Sequence, residues 1–288
     1  MYDNTILSKA DADNEFLNSN MRKIILNNNN SIRIYDNANK GKPTLLFIPM
    51  IKEINLIYVP LIKFFQDDFR TIIYEPNLST VKHCGIADRA NEIVNILDTL
   101  QIEKINIVAW SDTCSAAYYF GKQYENRCST ISFLGIADKY ILPEPYNFLT
   151  KLLFKYPLEK IIPPKISAFM LSKCLGGNHI NYKWLFNTAK HIPDLTRLFK
   201  FSIIPNLMEH RPVKNEMNVI CKIICGDRDY LADTERSTAM SILLPNCLGV
   251  DVIENAEHFF VYINHEAVSI SINSFLNSEH IEASGHDI

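Results

Sequence analysis

Glycine is scarce in this chain, and none of its apolar runs is long. Nine glycines occur in 288 residues, which is under half of the usual share of about 7%, so positions that depend on glycine's backbone freedom are few. The longest apolar stretch of the N-terminal third, residues 45–51, contains Pro49 and spans only seven residues. A membrane-spanning helix requires about 20 apolar residues. We therefore expect no membrane span.

Neither sign of charge dominates the composition. The chain has 29 Lys and Arg against 32 Asp and Glu, a net charge of −3 and a pI near 6.2. Nucleic acids and anionic membranes attract proteins that carry a clustered excess of Lys and Arg, and the totals contain no such excess. The composition predicts a mildly acidic, soluble protein that binds neither nucleic acid nor an anionic membrane surface.

The seven cysteines form neither a disulfide pattern nor a metal pattern. Their number is odd and most stand inside apolar runs, as small buried thiols do in a reducing compartment. Cys221 and Cys225 are four residues apart, but no second pair stands at the spacing of a zinc site. Residues 1–20 lack the basic start and apolar block of a secretory signal. These features predict a cytoplasmic protein that uses no metal ion or other cofactor.

Strand-like and helix-like segments alternate through most of the chain. Residues 22–26 and 32–35 are β-like and are joined by four asparagines, which suit a hairpin turn. Six further runs are apolar and strand-like: residues 44–48, 71–74, 105–109, 131–134, 219–225 and 248–253. Residues 86–100 carry one apolar stripe of helical period. The alternation predicts an α/β fold with a mostly parallel central sheet and helices on both faces.

The alternation stops between residues 139 and 217. Helical periodicity is clearest there at residues 148–156 and 182–199, which are interrupted by prolines and by the pair at 176–177. We interpret residues 139–217 as a helical cap insertion, called the insertion below. Residues 1–138 and 218–288 are then the core of the fold.

Ser111 stands where a predicted buried strand meets a predicted helix, in the sequence IVAWSDTCSAA of residues 107–117. A sharp strand-to-helix turn lifts a serine hydroxyl clear of the sheet. It also leaves the N–H of the next residue, Asp112, free at a helix N-terminus, where negative charge is stabilised. This arrangement suits a nucleophilic serine. Considered alone, Ser111 could equally be an ordinary helix-capping serine, and Asp112 a carboxylate of the first helical turn.

A nucleophilic serine needs a base, and the base needs an acid that orients it. Asp227 and Asp229 follow the fifth of the six apolar runs, and His258 follows the sixth. Parallel strands end at one edge of a sheet, and sites of α/β proteins form at that edge. We therefore expect Ser111, one of the carboxylates and His258 to meet there.

The order serine, acid, histidine resembles that of the α/β-hydrolase superfamily, in particular its cap-bearing, esterase-like members. Asp229 lies 118 residues after Ser111, and His258 lies 29 residues after Asp229. The run at 255–259, NAEHF, stands where the family commonly carries Asn-Ala-Gly-His. The resemblance implies that Ser111 is the nucleophile, His258 the general base and acid, and Asp229 the orienting acid.

Two further carboxylates compete for the role of the acid. Asp227 is only two residues from Asp229, and the two could exchange roles. Asp138 follows the strand-like run at 131–134 and stands at an alternative acid position of some family members. The family's acid sits three residues after the glycine that ends its strand, here Gly226, and this favours Asp229.

The elbow and the loop after the first core strand depart from the family pattern. The family elbow is Gly-x-Ser-x-Gly, but Ala109 and Thr113 fill the glycine positions. The family commonly has His-Gly after the first core strand, where this chain has PMI at residues 49–51. The resemblance implies an oxyanion hole formed by the backbone N–H groups of Ile51 and Asp112. Loss of one such donor costs about 100- to 1,000-fold in rate, so these departures bear directly on activity.

The sequence predicts a serine hydrolase that cleaves a carboxylic ester or thioester through an acyl-enzyme. Its expected partner is a small acyl substrate, free or bound to a carrier. Two alternatives remain open: a lyase, cyclase or C–C bond-cleaving enzyme that uses the same triad, and an inactive ligand-binding protein. Neither fold nor motif specifies the acyl group.

Overall fold

Eight strands form one sheet in a computed structural model that describes residues 4–76, 85–140, 146–176, 182–190, 192, 195–209 and 212–284. The strands are β1 (Arg22–Ile25), β2 (Ser31–Asp36), β3 (Thr44–Ile48), β4 (Arg70–Tyr74), β5 (Ile105–Trp110), β6 (Cys128–Leu134), β7 (Ile220–Gly226) and β8 (Cys247–Ile253). Their order across the sheet is β1-β2-β4-β3-β5-β6-β7-β8.

Helices connect the strands. They are α1 (Asn4–Asn20), α2 (Val59–Phe65), α3 (Ile86–Thr99), α4 (Thr113–Gln123), α5 (Tyr146–Lys155), α6 (Pro164–Gly176), α7 (Tyr182–Ala189), α8 (Leu195–Leu198), α9 (Ile204–Glu209), α10 (Thr234–Leu243), α11 (Phe260–Ile263) and α12 (His265–Ser284). Within the described ranges, no helix combines the length and the apolar character needed to cross a bilayer.

The sheet is parallel except at one edge. β1 pairs antiparallel with β2, and β2 pairs antiparallel with β4. Every other neighbouring pair, from β4 through to β8, is parallel. This confirms the predicted α/β class and the N-terminal hairpin. The parallel pairing also brings the carboxyl ends of β5, β6, β7 and β8 to one edge of the sheet.

The central strands are buried on both faces, as their continuous apolar sequences predict. Every residue of β3 and of β4 is buried. β6 begins three residues earlier than predicted, at Cys128. A side-chain hydrogen bond supports this polar extension, because the Thr130 hydroxyl donates to Asn106 Oδ1 of β5 at 2.8 Å.

The sequence did not predict two helical segments in the N-terminal part. One is α1, which lacks a clear apolar stripe, and the other is a 3-10 helix at Lys52–Tyr58 that leads into α2. Tertiary contacts hold α1 instead. The Asp13 carboxylate is buried and accepts hydrogen bonds from Lys63 Nζ at 2.9 Å and from the Tyr262 hydroxyl at 3.0 Å.

Helices α5 to α9 lie between β6 and β7 in the chain, inside the predicted insertion. The prediction of one helical block at residues 182–199 was wrong, because α7 ends at Ala189 and α8 begins only at Leu195. A π-helix at Phe199–Ile203 then joins α8 to α9. Leu153 and Leu171 of the insertion belong to the same buried apolar cluster as Met50.

Candidate active site

Ser111 occupies a left-handed backbone conformation between β5 and α4, with φ of +56°. A non-glycine residue in this region costs about 1–2 kcal/mol, and such strain is concentrated at functional turns. The Ser111 N–H donates to the Leu134 carbonyl at the end of β6 at 2.9 Å, which ties the turn to the neighbouring strand. The result is a sharp strand-to-helix elbow of the kind that exposes a nucleophile.

Thr113 fits at the elbow because its hydroxyl is fully used there. Thr113 Oγ1 accepts a hydrogen bond from the Trp110 N–H at 2.9 Å and donates one to the Trp110 carbonyl at 2.8 Å. The residue is completely buried. Ala109, at the first glycine position of the family elbow, is also completely buried. Thr113 thus adds a side-chain clasp across the turn, which a glycine could not make.

The structure brings Ser111, His258 and Asp229 together in one chain of hydrogen bonds. His258 Nε2 lies 2.8 Å from Ser111 Oγ, and His258 Nδ1 lies 2.7 Å from Asp229 Oδ2. The other Asp229 oxygen, Oδ1, accepts the N–H groups of Leu231 at 2.9 Å and Ala232 at 3.0 Å. A carboxylate held by backbone donors accepts from Nδ1–H, which leaves Nε2 free to accept a proton from the serine.

Water has almost no access to these three groups. Ser111, Asp229 and His258 are exposed by 2%, 1% and 0%. The Trp110 indole N–H donates to the His258 carbonyl at 2.9 Å, and the two rings lie 5.3 Å apart at 36°. Packing against the indole therefore fixes the imidazole, as a preorganised site requires.

Gly226 permits the close approach of two loops at this site. A Cβ on Gly226, at the end of β7, would lie 2.1 Å from the carbonyl oxygen of Ala256, where no side chain fits. Gly135, after β6, has φ of +69°, and its Cβ would touch Asp229 Oδ2 and His258 Cε1 at 3.4 Å each. Glycine is scarce in the chain, but it is present where Asp229 and His258 converge.

Neither of the other candidate acids contacts the imidazole. Both ring nitrogens of His258 already contact Ser111 and Asp229. Asp227 is exposed, and its Oδ1 accepts the Ala256 N–H at 2.9 Å. Hydrogen bonds from the backbone N–H groups of Asn255 and Ala256 lower the pKa of the Asp227 carboxyl. Asp138 has no hydrogen bond to His258, and one of its buried carboxylate oxygens has no hydrogen-bond partner.

The two N–H groups expected to form an oxyanion hole lie on segments that flank Ser111. Ile51 is buried and extended, with φ of −143° and ψ of 153°, just before the 3-10 helix. Asp112 is the residue from which α4 starts. Among the described residues, neither N–H donates a hydrogen bond to another backbone group.

Asp112 forms a buried ion pair that the sequence did not reveal. Its Oδ2 lies 2.9 Å from Nη1 of Arg89 on α3, and the two side chains are exposed by 0% and 5%. Burial raises the pKa of the Asp112 carboxyl, and the Arg89 guanidinium opposes that rise. Asp112 thus stands at the start of α4, as expected, and has a buried cationic partner as well. Arg89 stood in the sequence as one arginine on a predicted helix, with nothing to indicate its partner.

Arg89 also reaches the segment that carries Ile51. Its Nη2 lies 3.5 Å from the carbonyl oxygen of Met50, at the long limit for a hydrogen bond. The Met50 carbonyl and the Ile51 N–H belong to one peptide group, and in a trans peptide they point in opposite directions. A cation on the carbonyl side therefore favours an orientation in which the Ile51 N–H points away from Arg89.

A cavity of about 100 Å³ opens from Ser111 beneath the insertion. Its lining residues are Met50, Ser111, Leu149, Thr150, Leu153, Leu158, Ile162, Ser167, Met170, Leu171, Thr196, Phe199, Ile203, Ile204, Leu207 and Leu231. The hydroxyls of Ser167 and Thr196 are hydrogen bonded to each other. None of the described lining residues is charged, so the cavity suits an apolar ligand group.

Solved structures match this chain along most of its length, although no family model and no curated protein matches its sequence. A thermophilic esterase from Thermogutta terrifontis is 17% identical, with a TM-score of 0.69 over 90% of this chain and 99% of that one. The carboxylesterase CesB from Bacillus subtilis is 16% identical, with a TM-score of 0.73 over 93% and 96%. A meta-cleavage product hydrolase from Pseudomonas fluorescens is 14% identical, with a TM-score of 0.69 over 89% and 97%.

Together with the sheet order, these likenesses show that the chain has the α/β-hydrolase fold. The resemblance inferred from the order of Ser111, Asp229 and His258 is thereby confirmed at the level of the fold. The neighbours themselves are esterases and other hydrolases of this fold. At such low identity the likeness shows the fold alone, and the reaction must be argued from the site.

Proposed function

We propose that this protein is a serine hydrolase that cleaves carboxylic esters with an apolar acyl group. The observation that carries the proposal is the unbroken hydrogen-bond chain from Ser111 Oγ through His258 to Asp229, beside an apolar cavity. The esterases among the structural neighbours are consistent with this reaction.

In the first half of the reaction, Ser111 Oγ attacks the ester carbonyl while His258 Nε2 accepts its proton. Asp229 keeps its hydrogen bond to Nδ1–H and stabilises the imidazolium that forms. The carbon–oxygen bond to the alcohol then breaks, and His258 gives its proton to the leaving alkoxide. The products of this half are the free alcohol and an acyl ester of Ser111.

In the second half, a water molecule attacks the acyl carbon while His258 accepts one of its protons. The bond to Ser111 Oγ breaks, and the same proton returns to that oxygen. The carboxylic acid leaves and the free enzyme is restored. In both halves, the N–H groups of Ile51 and Asp112 donate hydrogen bonds to the carbonyl oxygen and stabilise the negative charge that develops on it. Arg89 positions the two segments that carry these N–H groups.

The cavity favours an uncharged aliphatic acyl group over a polar one. Burial of a charged or unpaired polar group is costly, and the described lining offers only hydroxyl groups as polar partners. Residues such as Leu149, Leu153 and Met170 provide apolar contacts along it. A thioester or a carrier-bound acyl chain presents the same apolar group to Ser111 and remains within the proposal.

A comparison of p-nitrophenyl esters of increasing acyl length tests this function. We expect hydrolysis with a preference for medium chains over acetate, and loss of activity by at least about a thousandfold in Ser111→Ala. Ser115→Ala, one turn further along α4 and equally buried, is the matched control and should keep its activity. The proposal fails if no ester is cleaved, or if the two variants behave alike.

Labelled water separates the proposal from the alternatives that the sequence left open. Hydrolysis of an ester or of a C–C bond places one oxygen of the water in the released acid, whereas a lyase or cyclase incorporates none. The second product separates the two hydrolyses, because an ester releases an alcohol and a C–C bond releases a fragment with a new C–H bond. A protein that only binds ligands would show saturable binding of a fatty ester with no product, unchanged in Ser111→Ala. Mass spectrometry of the products, together with the binding measurement, distinguishes these outcomes.

A further inference from the structure

The net charge of −3 conceals a division between the insertion and the rest of the chain. Residues 139–217 contain 12 Lys and Arg against 5 Asp and Glu, whereas the other residues contain 17 against 27. The insertion is thus a cationic segment on an acidic core. The totals alone hide this concentration of positive charge.

The first part of the insertion, residues 146–171, also exposes large apolar side chains. We call this segment the roof. Its exposed apolar residues are Phe148, Phe154, Tyr156, Ile161, Ile166 and Phe169. These 6 are among the 16 large apolar residues that are exposed in the described part of the chain, although the roof is only a small part of it. Concentrated exposure of this kind marks an interaction surface.

Exposed lysines alternate with these apolar residues. The roof carries four exposed lysines, namely Lys151, Lys155, Lys160 and Lys165. Its one acidic residue is Glu159, and this carboxylate pairs with Lys200 Nζ at 2.7 Å, with both side chains largely buried. The outward charge of the roof is therefore positive.

The inner side of the same segment lines the cavity at Ser111. Leu149 and Leu153 of α5 and Met170 of α6 face that cavity, while Phe154 and Phe169 on the same helices are 43% and 48% exposed. The roof is thus a single layer between the cavity and the exposed surface.

We propose that the roof docks on the surface of an anionic lipid membrane. Lysines at such a surface pair with lipid phosphates, and phenylalanine and isoleucine side chains enter the boundary between headgroups and acyl chains. Both kinds of side chain are interleaved on the roof. The sequence predicts a cytoplasmic protein, and such a protein meets the cytoplasmic leaflet of a membrane. This leaflet carries the anionic lipids.

Other occupants of the roof fit these side chains less well. A second copy of the chain that docked through its own roof would bring four lysines against four, which is repulsive. An acidic protein would pair with the lysines. It would leave most of the roof's aromatic side chains without apolar contact, because aromatic side chains are buried in interface cores that are depleted of charged residues. A bilayer satisfies both. Docking does not depend on the reaction at Ser111, although under the proposed function it would place the cavity beside membrane-resident esters.

Sedimentation with lipid vesicles tests the docking, with Ser111→Ala protein so that no lipid is consumed. We expect binding to vesicles of phosphatidylglycerol and phosphatidylcholine in equal parts, and little binding to phosphatidylcholine alone. Added salt should weaken the binding, because it screens exposed charges. Absence of binding to the anionic vesicles overturns the proposal, as does equal binding to both kinds.

A set of lysine variants tests the charged part of the surface. The test variant replaces four roof lysines by glutamine: Lys151→Gln, Lys155→Gln, Lys160→Gln and Lys165→Gln. The control replaces four exposed lysines of the core: Lys23→Gln, Lys40→Gln, Lys42→Gln and Lys104→Gln. Each surface lysine contributes roughly fivefold to partitioning, so the test variant should bind at least about a hundredfold more weakly and the control should change little. Equal losses in the two variants overturn the proposal.

A second pair of variants tests the apolar part. Phe154→Ser with Ile161→Ser should weaken vesicle binding at least about tenfold. The matched control, Ile242→Ser with Ile270→Ser on α10 and α12, removes side chains of similar exposure and should bind normally. With Ser111 restored, all four variant proteins should cleave water-soluble p-nitrophenyl esters at the unaltered rate, so loss of docking is distinguished from loss of chemistry. Dimer formation that Phe154→Ser abolishes, without vesicle binding, would assign the surface to a second copy instead.

Discussion

Arg89 and Asp112 form a buried ion pair directly behind Ser111, with 2.9 Å between Nη1 and Oδ2. Asp112 follows the serine in the chain and starts α4, while Arg89 reaches from α3 and also contacts the Met50 carbonyl at 3.5 Å. The pair therefore connects both segments on which we place the oxyanion donors. The Arg89 guanidinium also compensates the negative charge of the buried Asp112 carboxylate.

Arg89→Met should lower kcat at least tenfold with little change in KM, because it removes the group that positions the two donors. It should also lower the free energy of unfolding by about 3–5 kcal/mol at neutral pH, since it leaves the Asp112 carboxylate unpaired. Steady-state kinetics and urea denaturation measure the two effects. Arg22→Met is the control, because Arg22 is largely exposed and its partner Asp36 keeps a second ion pair with Arg70, so the loss should be less than about 1 kcal/mol.

The pH dependence of this loss has a defined sign. In Arg89→Met the folded-state pKa of the Asp112 carboxyl should rise further above its unfolded value, because burial already raises it and the opposing guanidinium is gone. A raised carboxyl pKa costs no stability below the unfolded value and an increasing amount as pH rises above it. Urea denaturation from pH 4 upward should therefore show a growing deficit relative to wild type. A deficit that shrinks with rising pH would contradict the assignment to Asp112.

Thr113→Val should lower both stability and activity, because it removes the hydroxyl that clasps the Trp110 backbone at the elbow. We expect a loss of about 1–3 kcal/mol in the free energy of unfolding and a lower kcat, with partial recovery in Thr113→Ser. Thr130→Val is the control. It removes one buried hydroxyl bonded to Asn106 and should lower stability while the kinetics stay unchanged.

Gly226→Ala should reduce activity about a hundredfold, because its Cβ would lie 2.1 Å from the Ala256 carbonyl oxygen and must displace the loop that carries His258. A shift of about 1 Å at a reacting group has an effect of this size. Gly249→Ala provides the comparison. Gly249 has φ of +97° with open space at the Cβ position, so its substitution strains the backbone without moving the triad. Similar kcat values in the two variants would show that the position of the loop that carries His258 does not affect activity.

Leu153→Trp should shorten the acyl chain that the protein accepts, because Leu153 on α5 lines the cavity and is buried. We expect a fall of about tenfold or more in kcat/KM for medium-chain esters and almost none for acetate, since each excluded methylene is worth about 1–3 kcal/mol. Phe154→Trp on the exposed side of the same helix should leave the chain-length profile unchanged. A uniform loss across all chain lengths in Leu153→Trp would indicate a folding defect rather than a filled cavity.

The parts of the fold and site that follow from local patterns could be predicted from the sequence. β3 and β5 are continuous apolar runs, and such runs are strands when they alternate with helices. Ser111 could be found because a strand and a helix meet at it, and Asp229 and His258 because they follow later strands. Each of these inferences needs only neighbouring residues and the rule that parallel strands end at one edge.

What could not be predicted depends on contacts between distant residues. Nothing near Arg89 in the chain indicates Asp112, and nothing in α1 indicates that Asp13 is buried against Tyr262. The positive charge of the insertion is present in the sequence, but total counts average it with an acidic core. That the lysines and the large apolar side chains of the roof are both exposed becomes visible only in three dimensions.

The most direct test of the account is covalent labelling by a fluorophosphonate probe, followed by intact-protein and peptide mass spectrometry. Attack by an activated serine forms a stable phosphonyl ester, so one adduct should appear on Ser111. Its rate should fall by orders of magnitude in His258→Ala and at least tenfold in Asp229→Asn, while Asp227→Asn labels at the unaltered rate. Absence of an adduct on the wild-type protein, or labelling that does not depend on His258, would contradict the proposed nucleophile.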